Sequence, residues 1–156
     1  MGLSRVFVGF SSEDINYYRL MQAWKKNDNF DFDFADCQLH NEINSTDEKY
    51  IKSKCRSRID LAGTYVMLIG KNTKHKHKYV RWEAEVAIEQ NCRIIAVNID
   101  KSRHINSNTC PSIIQGIGAI FVPFSPTIVN YAINNYKMNN NGNYSYKESL
   151  YKELGY

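Results

Sequence analysis

The sequence predicts an α/β domain of the flavodoxin-like class: a five-stranded parallel sheet in the order 2-1-3-4-5, with helices on both faces. Three observations carry this. Short apolar, β-rich runs alternate along the chain with segments of helical periodicity, the pattern of β-α units and a parallel sheet. Two of the runs, 64–70 and 93–99, show no polar alternation, as expected of strands buried on both faces. A third, from Phe30 to Cys37, sets Phe30, Phe32 and Phe34 against Asp31 and Asp33, as a half-exposed strand at a sheet edge does.

The elements follow in order. Arg5 to Phe10 is the first strand. Ser11 or Ser12 then offers a helix cap with Glu13 and Asp14 behind it, and Tyr17, Leu20, Met21 and Trp24 recur at helical spacing. After the second strand comes a polar loop over 40–45. A second helix follows, opened by Thr46-Asp47-Glu48, carrying Ile51, Cys55 and Ile59. The third strand, 64–70, leads through a basic loop, Lys71 to Lys78, into a third helix over about 80–90. The fourth strand is 93–99 and the fifth 119–123. Pro126 starts a helix through about Lys137. Met138 to Asn143, rich in Asn with one Gly, reads as a mobile connection, and Tyr144 to Leu154 as a terminal helix. The whole, 1–156, is expected to be one domain, with its core over 4–137 and a C-terminal extension over 138–156.

Composition narrows the function classes. Hydrophobic residues make up 43% and charged residues 23%, ordinary values for a folded globular chain. A net charge of +4 favours anionic partners but does not point to nucleic acid. The apolar runs are strand-length, so neither a membrane span nor a targeting segment is expected. The cytoplasm is the expected location. None of Cys37, Cys55, Cys92 and Cys110 lies in a C-x-x-C pair, so reduced structural thiols are expected rather than a zinc ribbon. His75 and His77 stand two apart without a nearby carboxylate or thiol in sequence, and no metal site is expected.

Five-stranded modules of this order place ligands at the carboxyl ends of strands one and three. A phosphoreceiver domain would need an Asp ending the third strand, where Ile69-Gly70 stands. The turn Phe10-Ser11-Ser12-Glu13-Asp14 lacks Gly and carries two acids, a poor nest for a flavin phosphate. Neither G-x-G-x-x-G nor G-x-x-x-x-G-K-[ST] occurs.

Two segments carry a resemblance. Val6-Phe7-Val8-Gly9-Phe10-Ser11 and Tyr79-Val80-Arg81-Trp82-Glu83-Ala84-Glu85-Val86 resemble the first strand and the W-x-x-E box of the TIR family, and within it the TIR-like proteins of Thoeris antiphage defence. The resemblance spans residues 4 to about 137. Val80 departs from it, standing where the family usually has Ser. The resemblance implies an enzyme that cleaves NAD⁺ and makes a cyclic ADP-ribose-type signal during phage infection. It implies that the signal reaches a separate, sirtuin-like NAD⁺-consuming effector. A phage-protein activator and homo-oligomers belong to the same picture. NAD⁺ is then a substrate, and no cofactor is implied.

The resemblance also assigns roles. Glu85 is the catalytic glutamate, with Trp82 on the same helix face as a pocket wall. Phe10 stacks on a ring of the substrate, Ser11 bonds ribose or phosphate, and Asp36 at the end of the second strand is a further binding residue. Glu83 points elsewhere and serves as an internal control. Cleaving the nicotinamide–ribose bond passes through an oxocarbenium-like state that a carboxylate stabilises. Each residue also has a plain structural reading: Glu85 a solvated helix acid, Trp82 and Phe10 core packing, Ser11 a helix cap, and 71–78 a solvated charged loop. The competing class is a non-catalytic module that works by assembling with partners.

Overall fold

The computed structural model describes residues 4–28, 32–34, 48–59, 62–75, 78–138 and 140–156. Among these the strands are β1 (Ser4–Gly9), β2 (Phe32–Phe34), β3 (Thr64–Ile69), β4 (Arg93–Asn98) and β5 (Ile120–Pro123). The helices are α1 (Ile15–Asp28), α2 (Glu48–Ile59), α3 (Lys78–Glu89), α4 (Pro126–Asn135) and α5 (Glu148–Glu153). The sheet order is β2-β1-β3-β4-β5, and every neighbouring pair is parallel. The reading of a parallel α/β sheet therefore holds, and the Phe–Asp alternation does lie at the edge, in β2.

Strand geometry sends alternate side chains to opposite faces. Phe7, Tyr65, Met67, Ile94 and Phe121 pack with Cys55 and Ile59 of α2 and with Val80, Ala84 and Ala87 of α3. Val6, Val8, Val66, Leu68 and Val97 pack with Tyr18 and Met21 of α1 and with Ile128, Val129 and Ala132 of α4. The sheet is thus covered on both faces, which is why β3 is buried throughout. Local signals set α4: Pro126 opens it, and the Ser125 side chain accepts from the Ile128 backbone N–H. Cys55, Cys92 and Cys110 are buried free thiols, and burial pushes the Cys110 thiol up to about 11. Cys37 lies outside the described residues.

The extension departs from expectation. The expected mobile connection is pinned instead, because its backbone groups are spent on β5 and the turn before it. Gly118 N donates to Gly142 O at 2.9 Å, Phe121 N to Tyr144 O at 2.8 Å, and Tyr144 N to Ala119 O at 3.1 Å. Tyr144 forms a parallel bridge with Ile120. With Tyr144 held in extended backbone, the terminal helix shortens to 148–153. That helix is fixed by Tyr151, 1% exposed, and by Arg103, whose guanidinium lies over the rings of Tyr151 (4.5 Å) and Tyr156 (4.9 Å) while it pairs with Glu148. Tyr151→Ala should therefore cost about 3–5 kcal/mol, the range for truncating a buried aromatic. A urea midpoint unchanged from wild type would show the extension to be an ornament.

Two glycines mark close approaches at the carboxyl end of the sheet. A Cβ on Gly9 would lie 2.1 Å from Tyr65 Oη, and one on Gly70 would lie 2.3 Å from Asp14 Oδ2. Gly9→Ala should destabilise by about 1–3 kcal/mol, as overpacking does, because the Tyr65 phenol must move. Thermal unfolding checks this, and Tyr65→Phe in the same chain should relieve part of the loss.

Candidate functional site

The turns that follow β1 and β3 meet at the point where the sheet order reverses, the usual ligand position in such folds. They are tied together through Asp14, 8% exposed at the end of a short 3₁₀ turn (Ser12–Asp14). Thr73 Oγ1 accepts from Gly70 N at 2.8 Å and donates to Asp14 Oδ2 at 3.5 Å. Beside them a cleft of about 370 Å³ opens between Asp14, Tyr17, Gly70, Lys71, Asp100 and Thr109. Burial works against an ionised Asp100, but hydrogen bonds from Ser102 and Asn106 outweigh it and hold the carboxyl below its ordinary value.

The sequence candidates fall in different places. Phe10 is 1% exposed and stacks on Tyr18, centroids 4.9 Å apart and planes 18° off parallel, so its ring belongs to the α1-side core. Ser11 is 3% exposed; its hydroxyl caps nothing and has no hydrogen-bond partner. Ser11 holds the N-cap position of the 3₁₀ turn, as the sequence suggests, but its side chain makes no cap hydrogen bond there. Trp82 is half-buried and packs against the α2/α3-side core. Asp36 lies outside the described residues, as do Lys76 and His77 of the basic loop.

Glu85 lies where α3 faces α2. Lys52 Nζ reaches Glu85 Oε2 at 2.5 Å, and Arg81 Nε reaches Oε1 at 3.1 Å. The Lys52 hydrogen bond, more than any other cause, holds this carboxyl below its ordinary value, so it is ionised. Both of its oxygens are thereby occupied.

Glu83 is the residue that sequence reading passed over. It is 1% exposed, and Oε1 has no hydrogen-bond partner. Burial pushes its carboxyl well above the ordinary value, which favours the protonated form. Its charge would act on Tyr65, the buried phenol under Gly9, whose hydroxyl is also unpartnered and whose titration is driven upward first by burial and then by Glu83. Ser11 Oγ, Tyr65 Oη and Glu83 Oε1 are three of six buried side-chain polar atoms without a hydrogen-bond partner among the described residues; Gln90 Oε1, Tyr146 Oη and Tyr151 Oη are the others. Native interiors rarely leave such groups unpaired, and each calls for an explanation. The signal was present in the helix: Val80, Glu83, Ala84 and Ala87 share one face at spacings of three, four and seven. Counting from Trp82 instead of Val80 hid it. As an internal control Glu83 is unsuitable, since it faces the core.

The model of one family, described as Thoeris protein ThsB, TIR-like domain, matches residues 7–104. The chain belongs to this family. The match runs from β1 through β4, so it contains Ser11, Tyr65, Glu83 and Glu85. No curated protein matches the chain. Within this TIR-like domain Glu83 and Glu85 lie two residues apart, one carboxyl driven up and the other down. The two shifts have separate causes, burial for Glu83 and the Lys52 and Arg81 pairs for Glu85.

Proposed function

We propose that this TIR-like domain serves Thoeris antiphage defence in the cytoplasm by cleaving NAD⁺ and releasing a cyclic ADP-ribose-type signal. The observation that carries the reading is the buried Glu83, whose Oε1 has no hydrogen-bond partner among the described residues, within a domain of the ThsB family. NAD⁺ brings a pyridinium cation and ribose hydroxyls. A cation beside Glu83 favours transfer of its proton to water that enters with the substrate, and the hydroxyls supply the hydrogen bonds that Glu83, Tyr65 and Ser11 lack. The glycosidic C–N bond then breaks with its electron pair passing to the nicotinamide nitrogen, which becomes neutral. The ionised carboxylate stabilises the positive charge left on the anomeric carbon. Water at that carbon gives ADP-ribose and a proton; a ribose hydroxyl of the same molecule gives the cyclic product and likewise releases its proton. The signal acts on a sirtuin-like effector, with a phage protein as trigger and self-assembly completing the site.

Glu85 keeps the role assigned by the resemblance as the alternative carboxylate, since it is ionised and partly accessible. A second reading, a non-catalytic assembly module, is favoured by one observation: Glu85 is held in ion pairs and Glu83 is closed off from solvent. The test is nicotinamide and cyclic-product release, by mass spectrometry, in lysates of phage-infected cells expressing wild type, Glu83→Gln or Glu85→Gln. Loss with either variant supports the enzyme, and equal output from all three supports the module.

A further inference from the structure

We propose that Tyr65 positions Glu83 for NAD⁺ cleavage: its phenol O–H donates to the Glu83 carboxylate once that group ionises against a substrate cation. This role rests on Glu83 being the reacting carboxylate. Tyr65 stands beside Phe7, rings 5.9 Å apart, in a register that pairs Phe7 with Tyr65 and Gly9 with Met67. A Cβ on Gly9 would lie 2.1 Å from Tyr65 Oη. The ring therefore leans one strand over and toward the carboxyl end of the sheet, where ligands of such folds bind. The missing side chain of Gly9 is the room that lets it do so. Helix α3 packs against both β1 and β3. Glu83 lies on the face of α3 that sends Val80, Ala84 and Ala87 into the same core as Phe7 and Tyr65.

Packing does not require the hydroxyl. Tyr65 and Glu83 are both buried, and neither Tyr65 Oη nor Glu83 Oε1 has a hydrogen-bond partner among the described residues. A phenylalanine would fill the same space and leave no donor unpaired, so the phenol O–H costs the resting fold stability. Its use comes when Glu83 ionises. A carboxylate only accepts, and a phenol that keeps its proton can donate to it. Tyr65 keeps that proton, because burial first, then Glu83 and Cys55, drive its titration well above the ordinary phenol value. The other titratable groups buried in this core are the thiols of Cys55 on α2, Cys92 after α3 and Cys110 before the 3₁₀ turn Ser112–Ile114. A thiol donates weakly, so the phenol is the strong donor of the set. A hydrogen bond to an ionised acceptor is about twice as strong as one between neutral groups, and it fixes where the carboxylate points.

The test compares four full-length chains: wild type, Tyr65→Phe, Glu83→Gln and Tyr151→Phe. Tyr151→Phe is the control, since it removes a hydroxyl that is also buried and unpartnered but lies in the core on the other face of the sheet. Carbon-13 NMR follows the Glu83 carboxyl, identified by its loss in Glu83→Gln, from about pH 5 to about pH 10. Tyr65→Phe should raise its titration midpoint by about one unit, a tenfold change in proton affinity, because a charge-assisted bond to the ionised form is gone. Nicotinamide release from NAD⁺ in lysates of phage-infected cells should fall about tenfold or more in kcat, with KM changed less than about twofold. Tyr65→Phe should unfold at or above the wild-type Tm. Tyr151→Phe should match wild type in both midpoint and rate. A midpoint unmoved by Tyr65→Phe, the same shift in Tyr151→Phe, or a lower Tm in Tyr65→Phe would overturn the role of Tyr65. So would full activity in Tyr65→Phe beside an inactive Glu83→Gln, with Glu83 keeping its own role. Full activity in Glu83→Gln would defeat Glu83 as the reacting carboxylate and take the role of Tyr65 with it.

Discussion

Glu83→Gln should abolish nicotinamide release from NAD⁺, lowering the rate by about 10²–10³-fold, the range for deleting one preorganised charge-stabilising group. Glu85→Gln should cost less than about tenfold. The contrast rests on what each carboxylate is doing. Glu85 already pairs with Lys52 and Arg81, and drawing it toward a ribose would break both ion pairs. Glu83 has an oxygen with no partner, beside a phenol with none. The variant is well matched for the test. Burial favours the protonated form of Glu83, and Gln reproduces that neutral side chain at nearly the same shape. Folding survives while the ability to ionise against a substrate cation is lost. Rates measured by chromatography on wild type and both variants decide it. The opposite ranking would return the role to Glu85, and full activity in both would move the domain to the assembly reading.

The second large effect is on stability against pH. The folded pKa of Glu83 lies well above its ordinary value of 4.5 because the ionised form is costly inside the fold. The folded state therefore holds a proton that the unfolded chain gives up. Its contribution is fully present below about pH 4.5 and is lost as pH rises toward the folded value, at up to ~1.4 kcal/mol per pH unit. Wild type should lose stability from about pH 5 upward relative to Glu83→Gln, whose side chain does not titrate. Urea unfolding of both proteins at one-unit steps between pH 5 and 8 gives the difference, which cancels the other titrating groups. Parallel curves would mean that Glu83 is already ionised in the folded chain, and the proposed chemistry would need another group.

The sheet was legible because its cause is local. Strands such as 64–69 and 93–98 are continuous apolar runs, and burial on both faces is what such runs require. The edge position of β2 was legible from the alternation of Phe32, Asp33 and Phe34. The site was less so. Which of Glu83 and Glu85 faces the sheet depends on the rotation of α3, and Trp82, half-buried, marks that rotation poorly compared with Val80 and Ala87. Phe10 and Ser11 are adjacent residues with different fates, one stacked in the core and one buried without a partner. Only the packing of α1 and the turn after β1 separates them. The pinned 140–144 segment was hidden for a different reason. Its Asn and Gly residues signal a turn correctly, but its backbone bonds are made to Gly118, Ala119 and Phe121, more than twenty residues earlier.

The bridge between Tyr144 and Ile120 bears on how copies of the chain can join. A parallel sheet grows by adding a strand to a bare edge, and an edge with free N–H and C=O groups invites a neighbour's strand. Here the chain lays its own backbone along the start of β5, and the N–H of Phe121 and the C=O of Ala119 are already taken. Polymer growth by sheet continuation is thereby barred at that margin. An ordered filament of this protein would have to be built through helices and loops, or from the β2 side, giving it a direction.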